Sequence, residues 1–424
     1  MKQIWSVGCT VIILGTLLSA CSSSGNQSKT DQASNGDGSN KQKEVTIRVV
    51  EYKNLEGYKD IAREFEKQNP GVKVEFSYVN SIDFDPTLKA RYAAGDMPDI
   101  FNNWNVDVWK DFYEDLSDQP WVGDLYEGTK GFVTRDGKLL GMPYIIEGAG
   151  LVYNKELFEK AGITATPKTF TELKAVTQKL EDTGTQPFVN SYGEPLFQLG
   201  AHFFNNAIAR VDNPVQFIED LRNGKAHLVG NPLFEGMLDV LRFSVEHGNH
   251  KDLTTDGTTQ ANDLVNGKAA MALQGNWIQD SVNKSNPGLK MGIMPYPFMD
   301  DIKVNDKLNM QIYSLAVYNK SPNKEIAKKF LNFLVTSDIG KKTLVEGFHQ
   351  VPAMKTIKPV EQFVGPINMD LLSYLEQGKV VPVAFWDYFP IATDIGHVLQ
   401  KFVANKSNST QTLEEIETLF KNWR

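Results

Sequence analysis

Cysteine is nearly missing from this chain: of 424 residues only Cys9 and Cys21 are cysteine, both near the N-terminus. Any fold built from the rest must be held by packing, because no pair of thiols is left for a disulfide or a thiolate metal site. Histidine is scarce as well. None of His202, His227, His247, His250, His349 and His397 forms the i, i+4 pair that turns two imidazoles toward one metal, and Gly248 interrupts the spacing of His247 and His250. There is no Gly-x-Ser-x-Gly elbow for a serine nucleophile, and the glycines from Gly123 to Gly131 lack the Gly-Lys-Ser ending of a phosphate loop. Paired acids such as Asp300-Asp301 and Glu414-Glu415 are expected in a chain with 52 Asp and Glu, and solvation accounts for them without glycoside hydrolysis. These absences point to a protein that binds without cofactor, metal or catalysis.

A single apolar stretch, Ile4 to Leu18, follows Lys2 and ends in Leu18-Ser19-Ala20-Cys21. Ser6, Thr10 and Thr16 make it marginal as a bilayer span, and small residues before the cysteine suit a cleaved secretory signal over residues 1–20. The junction resembles the lipobox of bacterial lipoproteins, which implies that Cys21 is acylated and anchors the chain outside the cytoplasm. Loss of the signal leaves 43 basic against 52 acidic residues, a net charge of −9, so nucleic acid is not an expected partner. From Ser22 to Lys43 the chain is almost wholly Ser, Gly, Asn, Gln, Asp and Lys. Such a composition buries too little to fold, and residues 21–43 are expected to be a tether.

Order begins at Val45, where Val45, Ile47 and Val49 alternate with Thr46 and Arg48 in the period of a strand. Tyr58, Ile61, Ala62 and Phe65 follow at helical spacing, Asn69-Pro70-Gly71 stops the helix, and Val72, Val74, Phe76 and Tyr78 alternate again. Strand, helix and strand in that order imply an α/β fold. Later helices are expected where Thr169 and Glu172, and again Thr412 and Glu415, have the spacing of capping boxes, and where Ser321-Pro322 precedes Ile326, Ala327, Phe330, Leu331 and Leu334. About 400 residues after processing exceed what one core usually fills, so two domains are expected.

Several segments together resemble the family-one extracellular solute-binding proteins. They are Ala94-Gly95-Asp96-Met97-Pro98-Asp99-Ile100-Phe101, then Asp136 to Tyr144 leading into Gly150 to Phe158 and Pro167-Lys168-Thr169. Gly267-Lys268-Ala269-Ala270-Met271 with Gly275-Asn276-Trp277 and Met294-Pro295-Tyr296-Pro297 come next, with Ala327 to Leu334 last. The resemblance spans Val45 to Trp423. It implies a two-lobed fold of the type II periplasmic-binding-protein kind, with residues 44–146 plus 308–336 in an N-terminal lobe and 147–307 plus 337–424 in a C-terminal lobe. Crossovers are expected near Ile145 to Gly150, between Phe298 and Gln311, and near Val335 to Asp338, with Gly148 and Gly150 letting the first one bend. A monomer would take a sugar into the cleft between the lobes and deliver it to the permease subunits of an ABC importer.

The same resemblance implies the cleft residues. Glu147 would accept sugar hydroxyls, Asn102, Asn103 and Trp104 follow the Pro98-Asp99 segment, and Trp277 beside Asn276 and Trp386 would stack on sugar rings. Glu194 and Phe197 offer an acid and an aromatic, and Asn54 and Glu56 lie in a loop that faces the cleft by analogy. The types fit a sugar, polar at its edge and apolar on its ring faces. Each tryptophan also suits a core, and Asn54 also suits a turn. A glycerol phosphate would call for clustered Arg or Lys instead. A secreted glycosidase, with two carboxylates flanking one bond, and an adhesive surface protein stay open as different classes of function.

Overall fold

The computed structural model describes residues 44–423 apart from 54, 56, 81–82 and 104–105. The signal, the tether and Cys21 lie outside these, as do Asn54, Glu56 and Trp104. Among the described residues twelve strands run in chain order as β1 (Val45–Glu51), β2 (Val72–Tyr78), β3 (Ile100–Asn102), β4 (Thr134–Arg135), β5 (Lys138–Leu139) and β6 (Met142–Asn154), then β7 (Gln186–Phe188), β8 (Ala269–Gly275), β9 (Met291–Met294), β10 (Leu308–Val317), β11 (Val351–Pro352) and β12 (Val380–Pro382). Strands β4 and β5 form a small hairpin, and the others join one mixed sheet in the order β2-β1-β3-β10-β6-β8-β7, with β9 and β11 on β6 and β12 on β10.

The opening βαβ unit forms as its periodicity predicts. Strand β1 lies parallel to both β2 and β3, and the helix Tyr58–Gln68 between β1 and β2 buries Tyr58, Ile61, Ala62 and Phe65. Gly71, in the turn to β2, has φ of 88°, which a residue with a Cβ adopts only under strain. The helix Lys324–Thr336 likewise turns Ala327, Phe330, Leu331 and Leu334 inward. The caps differ in detail from the sequence reading. Thr169 accepts a bond from the Glu172 N–H, but the Glu172 carboxylate reaches past it to the Lys168 N–H. The final helix, Ser409–Asn422, is opened one turn earlier by a capping box of Asn408 and Gln411, while the Thr412 hydroxyl donates back to the Asn408 carbonyl.

Two adjacent central strands, β10 and β6, join the two halves of the sheet. Along its 13 residues, β6 pairs with β10 through Met142 to Ala149 and with β8 and β9 from Ala149 onward. Strand β10 pairs with β6 while contacting β12 at its start and β3 at its end. The stretch expected as the first crossover, Ile145 to Gly150, lies within this strand, where its pairing passes from β10 to β8. Gly148 and Gly150 owe their identity to crowding: a Cβ on Gly148 would lie 2.4 Å from Leu371 Cδ1, and one on Gly150 2.2 Å from the Met294 carbonyl oxygen. Close approach of neighbouring backbone is a separate reason for glycine from freedom of φ.

Two hydrophobic cores flank the sheet. One fills the space around β1, β2, β3 and the helices Tyr58–Gln68 and Lys324–Thr336, and continues through Leu264, Val282, Ile293, Val364 and Leu371. The other gathers Phe158, Leu173, Phe203, Phe234, Leu241, Tyr388, Leu399 and Phe420 with Ala270, Met271 and Leu273 of β8. Residues from Leu344 to Leu375, grouped with the C-terminal lobe on the sequence, pack in the first of these cores. Among the described residues no helix is long and apolar enough to cross a membrane.

Candidate functional site

A cleft of about 1150 Å³ opens where β6, β10 and the start of the helix after β8 come together. Lys53, Glu147, Gln311 and Tyr313 line one part of it, His202 and Trp277 another, and Phe348, His349, Gln350, Glu361 and Phe363 a third.

Its polar centre is Glu147. The residue sits mid-strand in β6 opposite Gln311 of β10, and the period of two along each strand turns Glu147, Gln311 and Tyr313 to one face. The register of β10 shifts directly after Tyr313, a bulge of the kind often found beside binding sites. The Glu147 carboxylate accepts from the Lys53 ammonium at 2.7 Å and from the Gln311 amide at 2.9 Å, and the side chain is 2% exposed against 33% for Lys53. The ammonium also lies 4.3 Å above the Tyr313 ring, whose neighbour Tyr52 is near-parallel at 5.1 Å. Burial, and after it the charge of Glu147, pushes the hydroxyl pKa values of Tyr52 and Tyr313 well above the usual tyrosine range.

Behind this surface lies a second, fully buried acid. Glu51 accepts from the Tyr144 hydroxyl at 2.9 Å, the Tyr58 hydroxyl at 3.2 Å, the Tyr52 N–H at 3.1 Å and the Asn102 amide at 3.2 Å. Burial outweighs these four donors and pushes the carboxyl up to about 7.

The aromatic side of the cleft is built on a helix of unusual pitch. Pro195–Phe203 is a π-helix, and Gly200 and Gly396 let it lie directly on the helix Phe389–Val403. A Cβ on Gly200 would stand 1.8 Å from the Ala392 carbonyl, and one on Gly396 2.0 Å from that of Pro195. Phe197 and His202 are five residues apart, which π geometry brings to the same side, and their rings lie within 29° of parallel at 6.4 Å. His202 continues the stack onto Trp277 at 5.2 Å and 30°, while Phe385 meets it edge to face at 5.7 Å. Burial alone holds the His202 imidazole down at about 4, so the ring is neutral near pH 7. The Trp277 indole folds back over Gly275, where a Cβ would lie 2.2 Å from it, and its N–H donates to Gln274 at 2.6 Å.

Of the residues expected at the site, Glu147 and Trp277 line the cleft. Asn276 does not: it is fully buried, its amide N–H groups donate to Asn368 at 2.6 Å and Gln350 at 3.2 Å, and its oxygen accepts from the Gly148 N–H at 2.9 Å. It ties β6 to later segments. Asn102 is spent on Glu51, and Asn103 is pinned between the Leu140 carbonyl at 3.1 Å and the Ser314 hydroxyl. Glu194 accepts from the Gly257 N–H at 2.9 Å, at the start of the helix Gly257–Val265. Phe197 supports His202 from outside the lining, and half-buried Trp386 packs on Phe385 and Phe389 at 4.3 and 5.1 Å. Lys53, His202, Gln311, Tyr313 and His349 are not singled out for the site by the sequence reading. For Lys53 there was a signal, since it adjoins the loop named at Asn54.

Residues 52–341 match the family model of the bacterial extracellular solute-binding proteins. The melibiose/raffinose/stachyose-binding protein MelE of Bacillus subtilis is 24% identical over 290 residues, covering 65% of this chain and 66% of that one. A Pyrococcus horikoshii protein named as an ABC transporter extracellular-binding protein is 22% identical over 396 residues, 87% of this chain and 85% of its own. The fold matches that of a Bacillus licheniformis sugar transporter solved in complex with stachyose, with a TM-score of 0.67 at 21% identity over 88% of this chain and 98% of the other.

Proposed function

As the chain belongs to the bacterial extracellular solute-binding proteins, we propose that it binds a neutral oligosaccharide in the cleft around Glu147 and passes it to the permease of an ABC importer. The observation that carries this reading is a nearly buried carboxylate set among ring faces and amides: Glu147 beside Tyr313, with Gln311 and Trp277 at the same cleft. Sugars need this combination, since hydroxyls seek strong acceptors and the C–H faces of the ring seek aromatic surface. The names of the relatives, with their raffinose, stachyose and melibiose, support it.

A phosphorylated ligand fits less well. Both lysines lining the cleft are matched by acids, Lys53 by Glu147 and Lys284 by Asp280 at 2.7 Å, and among the described residues no arginine lines it. In this reading the protein turns nothing over, acts as a monomer, and closes two lobes over the ligand. Closure requires contacts that differ between the open and closed states. Acylation of Cys21 would hold it at the outer face of the cell membrane.

The test is a thermal-shift and calorimetric screen of the processed protein against raffinose, stachyose, maltotriose and glycerol 3-phosphate. A bound sugar at about 100 times its dissociation constant stabilises by about 2.7 kcal/mol. A shift with glycerol 3-phosphate and none with the sugars refutes the carbohydrate reading, and release of reducing ends from the sugars refutes the absence of turnover.

A further inference from the structure

His202 is the one histidine of the aromatic stack, and its ring nitrogens are the polar part it can turn toward a ligand. Phe197 and Trp277 both lie near-parallel to the imidazole, and Phe385 approaches it edge to face. Aromatic rings thus stand near-parallel to it at 5.2 and 6.4 Å. Yet the residue is half-buried, not sealed, and lines the same cleft as Glu147. Among the described residues no hydrogen bond occupies either ring nitrogen.

We propose that His202 offers its imidazole edge to the bound saccharide, as the hydrogen-bonding group that selects an uncharged hydroxyl at this end of the cleft. The inference rests on the carbohydrate reading above and names which group of the ligand is recognised there. A neutral imidazole has one N–H donor and one bare nitrogen acceptor, and a hydroxyl, which both donates and accepts, satisfies either. A carboxylate or phosphate satisfies only the donor, and an ammonium only the acceptor. The ring stays neutral because burial opposes its protonation. The charged groups lining the cleft are Lys53, paired with Glu147, Asp280, paired with Lys284, and Glu361, and none of them contributes to the depression at His202. Selection at this point thus works by hydrogen-bond pattern and not by charge.

The pitch of the helix is what puts the edge there. In an α-helix residues five apart point about 140° away from each other, so Phe197 and His202 would not share a side. The π-helix, seated on Phe389–Val403 through Gly200 and Gly396, brings them together and turns His202 toward Trp277. π-helical turns occur frequently at functional sites.

The experiment compares wild type with His202→Phe, which keeps a flat ring in the stack and removes both nitrogens, and with His202→Asn and His202→Gln. The probe is whichever of raffinose, stachyose and maltotriose the wild type binds most tightly. His202→Phe should melt within a few degrees of wild type without sugar and bind about tenfold more weakly, the size of one hydrogen bond. At least one of the two amide variants should recover part of that loss. Binding by His202→Phe equal to wild type overturns the proposal and leaves the ring a packing element. Should His202→Phe misfold, the imidazole proton resonances of His202 in the wild type decide: they move on titration with the sugar if the edge is engaged, and stay fixed if it is not. A wild type that binds none of the three sugars removes the carbohydrate reading itself, and this inference with it.

Discussion

Replacing Glu147 by glutamine exchanges one carboxylate oxygen for an NH2 and leaves volume and shape nearly unchanged. The two oxygens are committed differently, one to the Lys53 ammonium and the other to the Gln311 amide. The introduced amide must keep its oxygen toward Lys53, since two donors cannot face each other, and its NH2 then meets Gln311. That contact is rescued by a flip of Gln311, whose own buried oxygen has no partner. The fold therefore loses little. The pair joins a lysine one-third exposed to a carboxylate only 2% exposed, and making that acid neutral removes the cost of burying its charge along with the attraction. Binding loses more. A carboxylate has about four lone-pair directions; Lys53 and Gln311 take two and the Tyr313 hydroxyl a third, leaving room for a ligand hydroxyl. A hydrogen bond to a charged acceptor contributes about 1.5–3 kcal/mol and a neutral one about 0.5–1.5, so each hydroxyl on Glu147 should weaken by roughly 1–2 kcal/mol, about 5- to 30-fold in dissociation constant. Calorimetric titration with the cognate sugar gives the affinity, and the melting temperature without sugar gives the stability. Unchanged affinity together with a much lower unliganded melting temperature would show that Glu147 only braces β6 against β10 and takes no part in binding.

Three further outcomes are expected. Glu51 keeps its proton up to about pH 7 when folded but only to about 4.5 when unfolded, so between these values the folded state holds a proton the unfolded chain has released and stability falls as pH rises, by about 3 kcal/mol across the window. Glu51→Gln removes the titrating group; urea unfolding from pH 5 to 8 should show a flatter dependence than wild type, and an equally steep one would discount Glu51 as its source. Gly150→Ala puts a methyl 2.2 Å from a backbone oxygen that cannot swing away and should cost about 1–3 kcal/mol or more, whereas Gly123→Ala meets nothing within 4 Å and serves as the control by differential scanning calorimetry. Cys21→Ala should release folded protein into the medium, and retention of the variant in the membrane fraction would remove the lipid anchor.

What could be seen in advance and what could not divides along contact distance in the chain. Tyr58, Ile61, Ala62 and Phe65 announce their helix because the spacing that reveals it is also the spacing that buries it. The last helix shows the limit of local rules: Asn408-x-x-Gln411 and Thr412-x-x-Glu415 are both legitimate capping boxes one turn apart, and the earlier one prevails. Asparagine is at least as good a cap as threonine, and starting there adds a full turn of hydrogen bonds.

The site was harder because its members meet only through the sheet. Glu147 finds Lys53 and Gln311 across separations of 94 and 164 residues, and no spacing pattern encodes either. Neighbours on the chain can also part company. Asn276 and Trp277 follow the same strand, yet the short turn after Gly275 sends the amide inward to Gly148 and Asn368 and lays the indole over Gly275 at the cleft. A motif match spanning both residues carries no information on which faces the ligand. His202 was hidden for a different reason: counting by the α-helical period places it away from Phe197, and only a helix wound to the π pitch reverses that. A related feature of the sequence is Gly200, whose missing side chain lets a neighbouring helix approach, and its meaning depends on Gly396, far along the chain. A glycine in the middle of an apolar helical stretch is therefore better read as a request for a close partner than as a weakness in the helix.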